Sequence, residues 1–327
     1  MRGIAILLMM AAHLVFNIGM HRQIIHSFHM PLFLIVSGIF AKDISAIASF
    51  RQFTLKNAKR LLLPYFVTML LLCIYGAILA CAKHNVAYLL RHVFSMITAS
   101  ADGWDSEWGL IYAGPIWFLV ALFWVRELFY GIQRACRRVP KYKDELILGI
   151  CILLSVLSVM IHPYLPPLPF CIMQSITALG LYAVGWYIHH HPMPWWVYAI
   201  CVVTWPLAIY YGQVSLDSCC VGYYPLSFVG ACGGTYVIYL LCKGWANVID
   251  SLNRKRSTLN IITPLMWCGM YSLPILCMHD FLIYSDLMNS IMLRIPFGGP
   301  LVWGGVLAIV LAYIVLRIPI LKKVYGG

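Results

Sequence analysis

Leu61-Leu62-Leu63-Pro64-Tyr65-Phe66-Val67-Thr68-Met69-Leu70-Leu71-Leu72-Cys73-Ile74-Tyr75-Gly76-Ala77-Ile78-Leu79-Ala80-Cys81-Ala82 carries no charged side chain, and the cations Lys56, Lys59 and Arg60 stand directly before it. About 20 apolar residues in a helix cross the hydrocarbon of a bilayer. This stretch is long enough, and the cations at its start suit a headgroup boundary. The rest of the chain has the same character. Of 327 residues, 62% are hydrophobic and 10% charged, with mean hydropathy +0.84. A soluble domain carries roughly a quarter charged residues, so this chain lacks the polar surface to cover itself in water.

Working outward, we read about ten transmembrane spans, at 3–20, 27–40, 61–82, 112–131, 145–161, 168–188, 194–211, 224–243, 265–285 and 299–317. The fold class is an all-α polytopic transmembrane bundle, one domain over 1–327. Eighteen of the 23 Lys and Arg fall at Arg2 and within 42–60, 134–143, 243–256 and 317–323. Arg22, Lys83, Arg91 and Arg294 fall on the opposite side, and Arg126 lies inside the fourth span. The positive-inside rule then puts both termini in the cytoplasm. The net charge of +12 follows these loops and gives no nucleic-acid footprint. The twelve cysteines lie mostly in apolar runs without CxxC spacing, as buried free thiols do. The first apolar run is not followed by a small-residue cleavage site and reads as a retained helix.

Polar residues inside a membrane point to function by default. His13, His29, and His279 with Asp280 all fall toward the external side of this topology. The plain alternative for each histidine is a ring satisfied by a neighbouring carbonyl or set at headgroup depth. Arg2 and His13 sharpen the functional reading. Eleven helical steps are almost three turns, which puts both on one face about 16 Å apart. An anionic cofactor with a long flexible arm could set its phosphates at Arg2 and its reactive end near His13. A guanidinium donates two hydrogen bonds at once to phosphate, and a neutral imidazole can take a hydroxyl proton near working pH. Lys56, Lys59 and Arg60 would extend the phosphate-binding mouth, or act only as a membrane anchor. His189-His190-His191 reads as a solvated loop, because consecutive residues point in different directions, and we assign no metal site. The connection 83–111, with Asp102, Trp104, Asp105, Glu107 and Trp108, suits a carbohydrate ligand or an interfacial anchor.

The residues also resemble a known family. Met1-Arg2-Gly3-Ile4-Ala5-Ile6-Leu7 through His13 is similar to the opening helix of the acyltransferase-3 membrane O-acyltransferases, an Arg, ten residues, then a His. Phe28-His29-Met30-Pro31-Leu32-Phe33 into Ser37-Gly38 resembles that family's second helix, and Lys59-Arg60 through Pro64-Tyr65-Phe66 its basic-to-proline entry to the third. Gly114-Pro115-Ile116-Trp117-Phe118-Leu119 and Gly269-Met270-Tyr271-Ser272-Leu273 through His279 resemble two later helices. Leu168-Pro169-Phe170 followed by Gly185, and Gly233-Gly234-Thr235, resemble the fucose-4-O-acetylase-like branch. Asn57 departs from the family's Arg-x-x-Arg, with Lys56 and Lys59 as substitutes. The family also carries an acidic residue and a few polar ones before the motif arginine. Here the chain starts at Met1-Arg2, which leads us to expect an N-terminally short chain.

The resemblance implies a multi-pass protein of the bacterial inner (cytoplasmic) membrane that moves acetyl from cytoplasmic acetyl-CoA to a sugar hydroxyl on the far side. It implies His13 as catalytic base with Arg2 as its motif partner, and donor binding by Arg2, Lys56, Lys59 and Arg60. His29, Trp117 and His279 would meet the carbohydrate acceptor. No metal is implied, the lipid bilayer is the surrounding partner, and a homo-oligomer stays open. Acetyl or succinyl as the acyl group, and exopolysaccharide, O-antigen or lipid-linked oligosaccharide as acceptor, are not separated by sequence. The rival class is a transporter of a sugar or acylated glycolipid, which intramembrane histidines also suit, although Glu127 and Asp280 are the main acidic residues within the spans. A third is a sensor or scaffold that has lost activity, against which the presence of His13 argues.

Overall fold

The structure, a computed structural model, describes residues 1–14, 19–44, 47, 49–83, 86–101, 113–139, 141–166, 168–212, 214–255, 262–284 and 299–326. The helices among them are α1 (Arg2–Leu14), α2 (Gly19–His26), α3 (His29–Ile39), α4 (Phe50–Asn57), α5 (Leu63–Lys83), α6 (Ala87–Thr98), α7 (Trp117–Ala135), α8 (Lys143–Ile161), α9 (Ile172–His190) and α10 (Trp195–Tyr211). They continue with α11 (Tyr224–Lys255), α12 (Ile262–Met270), α13 (Ser272–Tyr284), α14 (Gly299–Arg317) and α15 (Pro319–Tyr325). Between α10 and α11 a two-stranded antiparallel hairpin pairs Val214 with Val221 and Ser215 with Cys220. Among the described residues the fold is all-α apart from this hairpin.

Among the described residues, four helical stretches are long and apolar enough to cross a bilayer alone: Phe50–Ala82, Lys143–Tyr164, Pro169–His190 and Tyr224–Val248. Two bent pairs bring the number to six, if each pair is one span. Arg2–His13, Gln23–Ile39 and Trp195–Tyr211 are shorter apolar helices. The 19-residue α7 keeps Arg126 and Glu127 against protein. Glu127 accepts hydrogen bonds from Thr54 Oγ1 at 2.7 Å and Asn57 Nδ2 at 2.8 Å.

Several local expectations change. The ninth span, read as continuous, breaks at Tyr271, where Pro264–Met270 and Ser272–Ile283 meet at 83°. Pro274, in the first turn of α13, lacks an N–H for the carbonyl four residues back, and its ring clashes there, so the helix cannot run through. Pro319 acts likewise at the 115° bend before α15, with Ile318 extended ahead of it (φ −84°, ψ 117°). Pro64 is the second residue of α5, though the helical run as a whole begins at Phe50. This proline follows a π turn, Ala58–Leu62, whose wider spacing accommodates the missing N–H. The connection 83–111 is not simply a loop, because it contains α6. That helix buries His92, Ser95 and Thr98 and exposes Leu90, Phe94 and Ile97, a lipid-type arrangement. Asp102, Trp104, Asp105, Glu107 and Trp108 lie outside the described residues.

His189 and His190 are the last residues of α9 and His191 follows them, rather than forming a free loop. His190 Nε2 lies 3.4 Å from Asp43 and His191 Nε2 2.9 Å from Asp144, tying the end of α9 to the segment after α3 and to the start of α8. The twelve cysteines form no disulfide; Cys73, Cys151 and Cys277 are buried, whereas Cys81 and Cys220 are exposed.

Packing divides the bundle into two halves. One core gathers α1, α5, α7, α13 and α14 around Ile6, Tyr65, Ile116, Ile275 and Ala308. The other gathers α3, α7, α8, α9 and the hairpin around Leu34, Phe118, Ile147, Trp186 and Val214. The α3–α9 crossing requires glycine on both sides. A Cβ at Gly185 would meet Ile35 O at 2.0 Å, and one at Gly38 would meet Tyr182 O at 2.0 Å. Small residues let backbones approach this closely, which is how membrane helices gain packing energy without a hydrophobic drive. Between the halves, where α1, α3 and α7 face one another, lies a cavity.

Candidate functional site

One face of α1 forms a wall of that cavity. Arg2, Ile6, Met9 and His13 all line it, the pattern that successive helical turns impose. Arg2 and His13 therefore stand at two poles about 16 Å apart along the helix. Opposite are His29, Phe33 and Ser37 from α3, Trp117, Leu122 and Arg126 from α7, the hairpin, and Ser272 and Leu273 at the start of α13. The volume is about 220 Å³.

At the first pole three guanidinium groups share one neighbourhood. Arg2 feels the positive charges of Arg60 and Arg126, and Arg60 that of Arg126. Arg2 stacks over the Phe40 ring at 4.4 Å, and Arg126 lies near the Tyr182 hydroxyl. Arg60 rides on the π turn, which Glu127 holds against α7 through Thr54 and Asn57. Among the described residues that line the cavity, the sole carboxylate is Asp217, on the hairpin. Three like charges with no carboxylate beside them among the described lining residues repel one another and leave a ready place for an anion with several oxygens.

The second pole holds the histidines. The His13 ring centroid lies 6.0 Å from that of His279, and the His29 ring packs edge-on to His26 at 5.0 Å. His29 is buried and its Nδ1 lies 2.9 Å from Ile25 O. A carbonyl only accepts, so Nδ1 carries the proton and Nε2 of the neutral ring is left as an acceptor. His279 is fully buried, and neither of its ring nitrogens has a hydrogen-bond partner among the described residues. The adjacent Asp280, also fully buried, accepts the Ile116 N–H at 3.2 Å, and so ties the His279 segment to the start of α7 beside Trp117.

Of the residues singled out from sequence, the structure gathers Arg2, His13, His29, Arg60 and Trp117 around one cavity. His279 stands behind His13 rather than in the lining. Lys56 and Lys59 are exposed and do not line it. Arg126, His26 and Asp217 line it without having been singled out. A charge in the middle of an apolar span was the available signal for Arg126. His26 is one helical turn before His29. Asp217 carried no local signal beyond being an acidic residue in a short connection.

The acyltransferase-3 family, described as an acyltransferase domain, matches residues 1–317, nearly the whole chain. No curated protein and no solved structure matches the chain. The family match spans every described helix that lines the cavity, and it agrees with apolar helices built for a bilayer. The chain belongs to the acyltransferase-3 family.

Proposed function

We propose that this membrane acyltransferase moves acetyl from acetyl-CoA to a sugar hydroxyl of a cell-surface or lipid-linked glycan, as in the fucose-4-O-acetylase-like branch, in a bacterial inner membrane. The observation that carries the proposal is one cavity with an arginine pole and a histidine pole. A donor with phosphates at one end and a thioester at the end of a flexible arm matches such a two-pole site. Arg2, Arg60 and Arg126 face the phosphates, and the arm runs along the Ile6 and Met9 side of α1. A volume of about 220 Å³ suits the reacting ends of two substrates, so the nucleotide of the donor stays at the mouth. We keep ten membrane crossings and cytoplasmic termini as part of this proposal, because they set the arginine pole inside and the histidine pole outside.

In the reaction His13 takes the proton of the sugar hydroxyl while its oxygen attacks the thioester carbonyl. The carbon–sulfur bond breaks, and the thiolate of CoA leaves and takes up the proton. His29 Nε2 is a second acceptor for acceptor hydroxyls, and Trp117 offers a flat apolar wall for a sugar ring. A route through acetyl-histidine uses the same ring, and labelled donor without acceptor separates the two, since only that route labels the protein. The test is His13→Ala in reconstituted vesicles with labelled acetyl-CoA and a glycan acceptor. Loss of a general base costs about 100- to 10,000-fold in rate with donor binding retained. Near-normal acetylation by this variant would sink the assignment.

A further inference from the structure

The structure assigns to the hairpin between α10 and α11, and to Asp217 at its turn, the role of holding the acceptor and selecting neutral polyhydroxylated rings over acidic ones. This rests on the acyl-transfer reading above.

The hairpin is built into the bundle. Val214, Leu216, Cys219 and Val221 are buried, and Cys219 takes a left-handed conformation (φ 49°) that closes the turn. From α9 the buried Gln174 donates Nε2 to Asp217 O at 2.9 Å, which fixes the turn against the cavity. The Asp217 side chain is oriented in turn. Its Oδ1 accepts the Ser218 N–H at 2.9 Å and the Ser215 hydroxyl. Oδ2 takes no hydrogen bond among the described residues, and both Ser215 and Asp217 line the cavity while half exposed.

Its position along the cavity follows from α9. Gln174 is eight residues before Tyr182, about 12 Å along the helix, and Tyr182 lies near Arg126. Gln174 lies three residues after Cys171, whose Sγ reaches Trp117 O at 3.8 Å. Asp217 therefore belongs to the histidine pole, beside the start of α7 and away from the guanidinium groups. A carboxylate there does two things. It repels the phosphates of a donor that enters the wrong way round, and its oriented oxygen accepts hydrogen bonds from the hydroxyls of a sugar ring. The same charge disfavours an acceptor that carries its own carboxylate.

The experiment compares the full-length wild type and Asp217→Asn in vesicles with labelled acetyl-CoA. The acceptors are a neutral oligosaccharide and the same oligosaccharide carrying a uronic acid at the accepting residue. Asparagine keeps an oxygen for Ser215 and Ser218, so the hairpin stands while the charge is gone. The neutral acceptor's KM rises about 10- to 100-fold, as expected for loss of a charge-assisted hydrogen bond. Preference for neutral over acidic acceptor falls at least about tenfold, and the donor KM stays within about twofold. Unchanged selectivity, or a donor KM that rises with the acceptor KM, overturns the role given to Asp217. If the wild type acetylates no glycan, the parent reading falls and takes this one with it. If the wild type does transfer and Asp217→Asn keeps its selectivity, only the hairpin's role is lost.

Discussion

Replacing Arg126 by glutamine separates the donor site proposed at the arginine pole from one that includes Lys56 and Lys59. Arg126 shares its pole with Arg2 and Arg60, whereas Lys56 and Lys59 are exposed outside the cavity. A hydrogen bond to a charged group contributes about 1.5–3 kcal/mol, so Arg126→Gln weakens acetyl-CoA binding about 10- to 150-fold. Exposed ionic contacts are worth about 0–1 kcal/mol each, so Lys56→Ala and Lys59→Ala each change it less than about fivefold. The empty protein behaves in the opposite sense. Three guanidinium groups with no carboxylate beside them among the described lining residues repel one another, and glutamine keeps an amide for the Tyr182 hydroxyl. The unfolding midpoint of Arg126→Gln without donor therefore does not fall. Donor affinity is read from the concentration dependence of thermal stabilisation by acetyl-CoA, alongside its KM in labelled transfer. Either lysine variant losing more donor affinity than Arg126→Gln would refute the arginine pole.

Gly185→Ala forces a Cβ toward Ile35 O, which a built Cβ meets at 2.0 Å. It should cost about 1–3 kcal/mol, seen as a lower unfolding midpoint, whereas Gly149→Ala, with nothing within 4 Å, does not lower it. Glu127→Ala frees Thr54 and Asn57 and lets the π turn that carries Arg60 drift. Donor KM then rises several-fold (on the order of one hydrogen bond) with acceptor KM unchanged, in the same labelled-transfer assay. Asp280→Ala leaves the buried Ile116 N–H without its acceptor and costs about 1–3 kcal/mol. Asp280→Asn keeps an oxygen there and loses less, by chemical or thermal unfolding.

What could be read from sequence was what a single helix decides. The spacing of Arg2 and His13 already required one face, and the structure puts Ile6 and Met9 between them on that face. The runs at 145–161, 168–188 and 194–211 match α8, α9 and α10 within a few residues, because hydropathy alone sets them. The features that escaped depend on contacts between distant parts of the chain. Pro274 could have announced the break at Tyr271, but the apolar run around it looked continuous. The hairpin strands are two residues each, too short for any period to show, so Asp217 gained meaning only from Gln174 forty-three positions earlier. Lys56 and Lys59 stand beside Arg60 in sequence, and Lys59 shares its π turn, yet only Arg60 of the three lines the cavity, which no local signal foretold.

The central claim is that one cavity joins an anionic donor at Arg2 to a hydroxyl acceptor at His13. Vesicles with the protein in a single orientation test it directly, with labelled acetyl-CoA supplied only on the Arg2 side and glycan only on the His13 side. Wild type then labels the glycan, and His13→Ala labels it about 100- to 10,000-fold less. Equal labelling by both proteins, or labelling only when donor and glycan share one side, would contradict it.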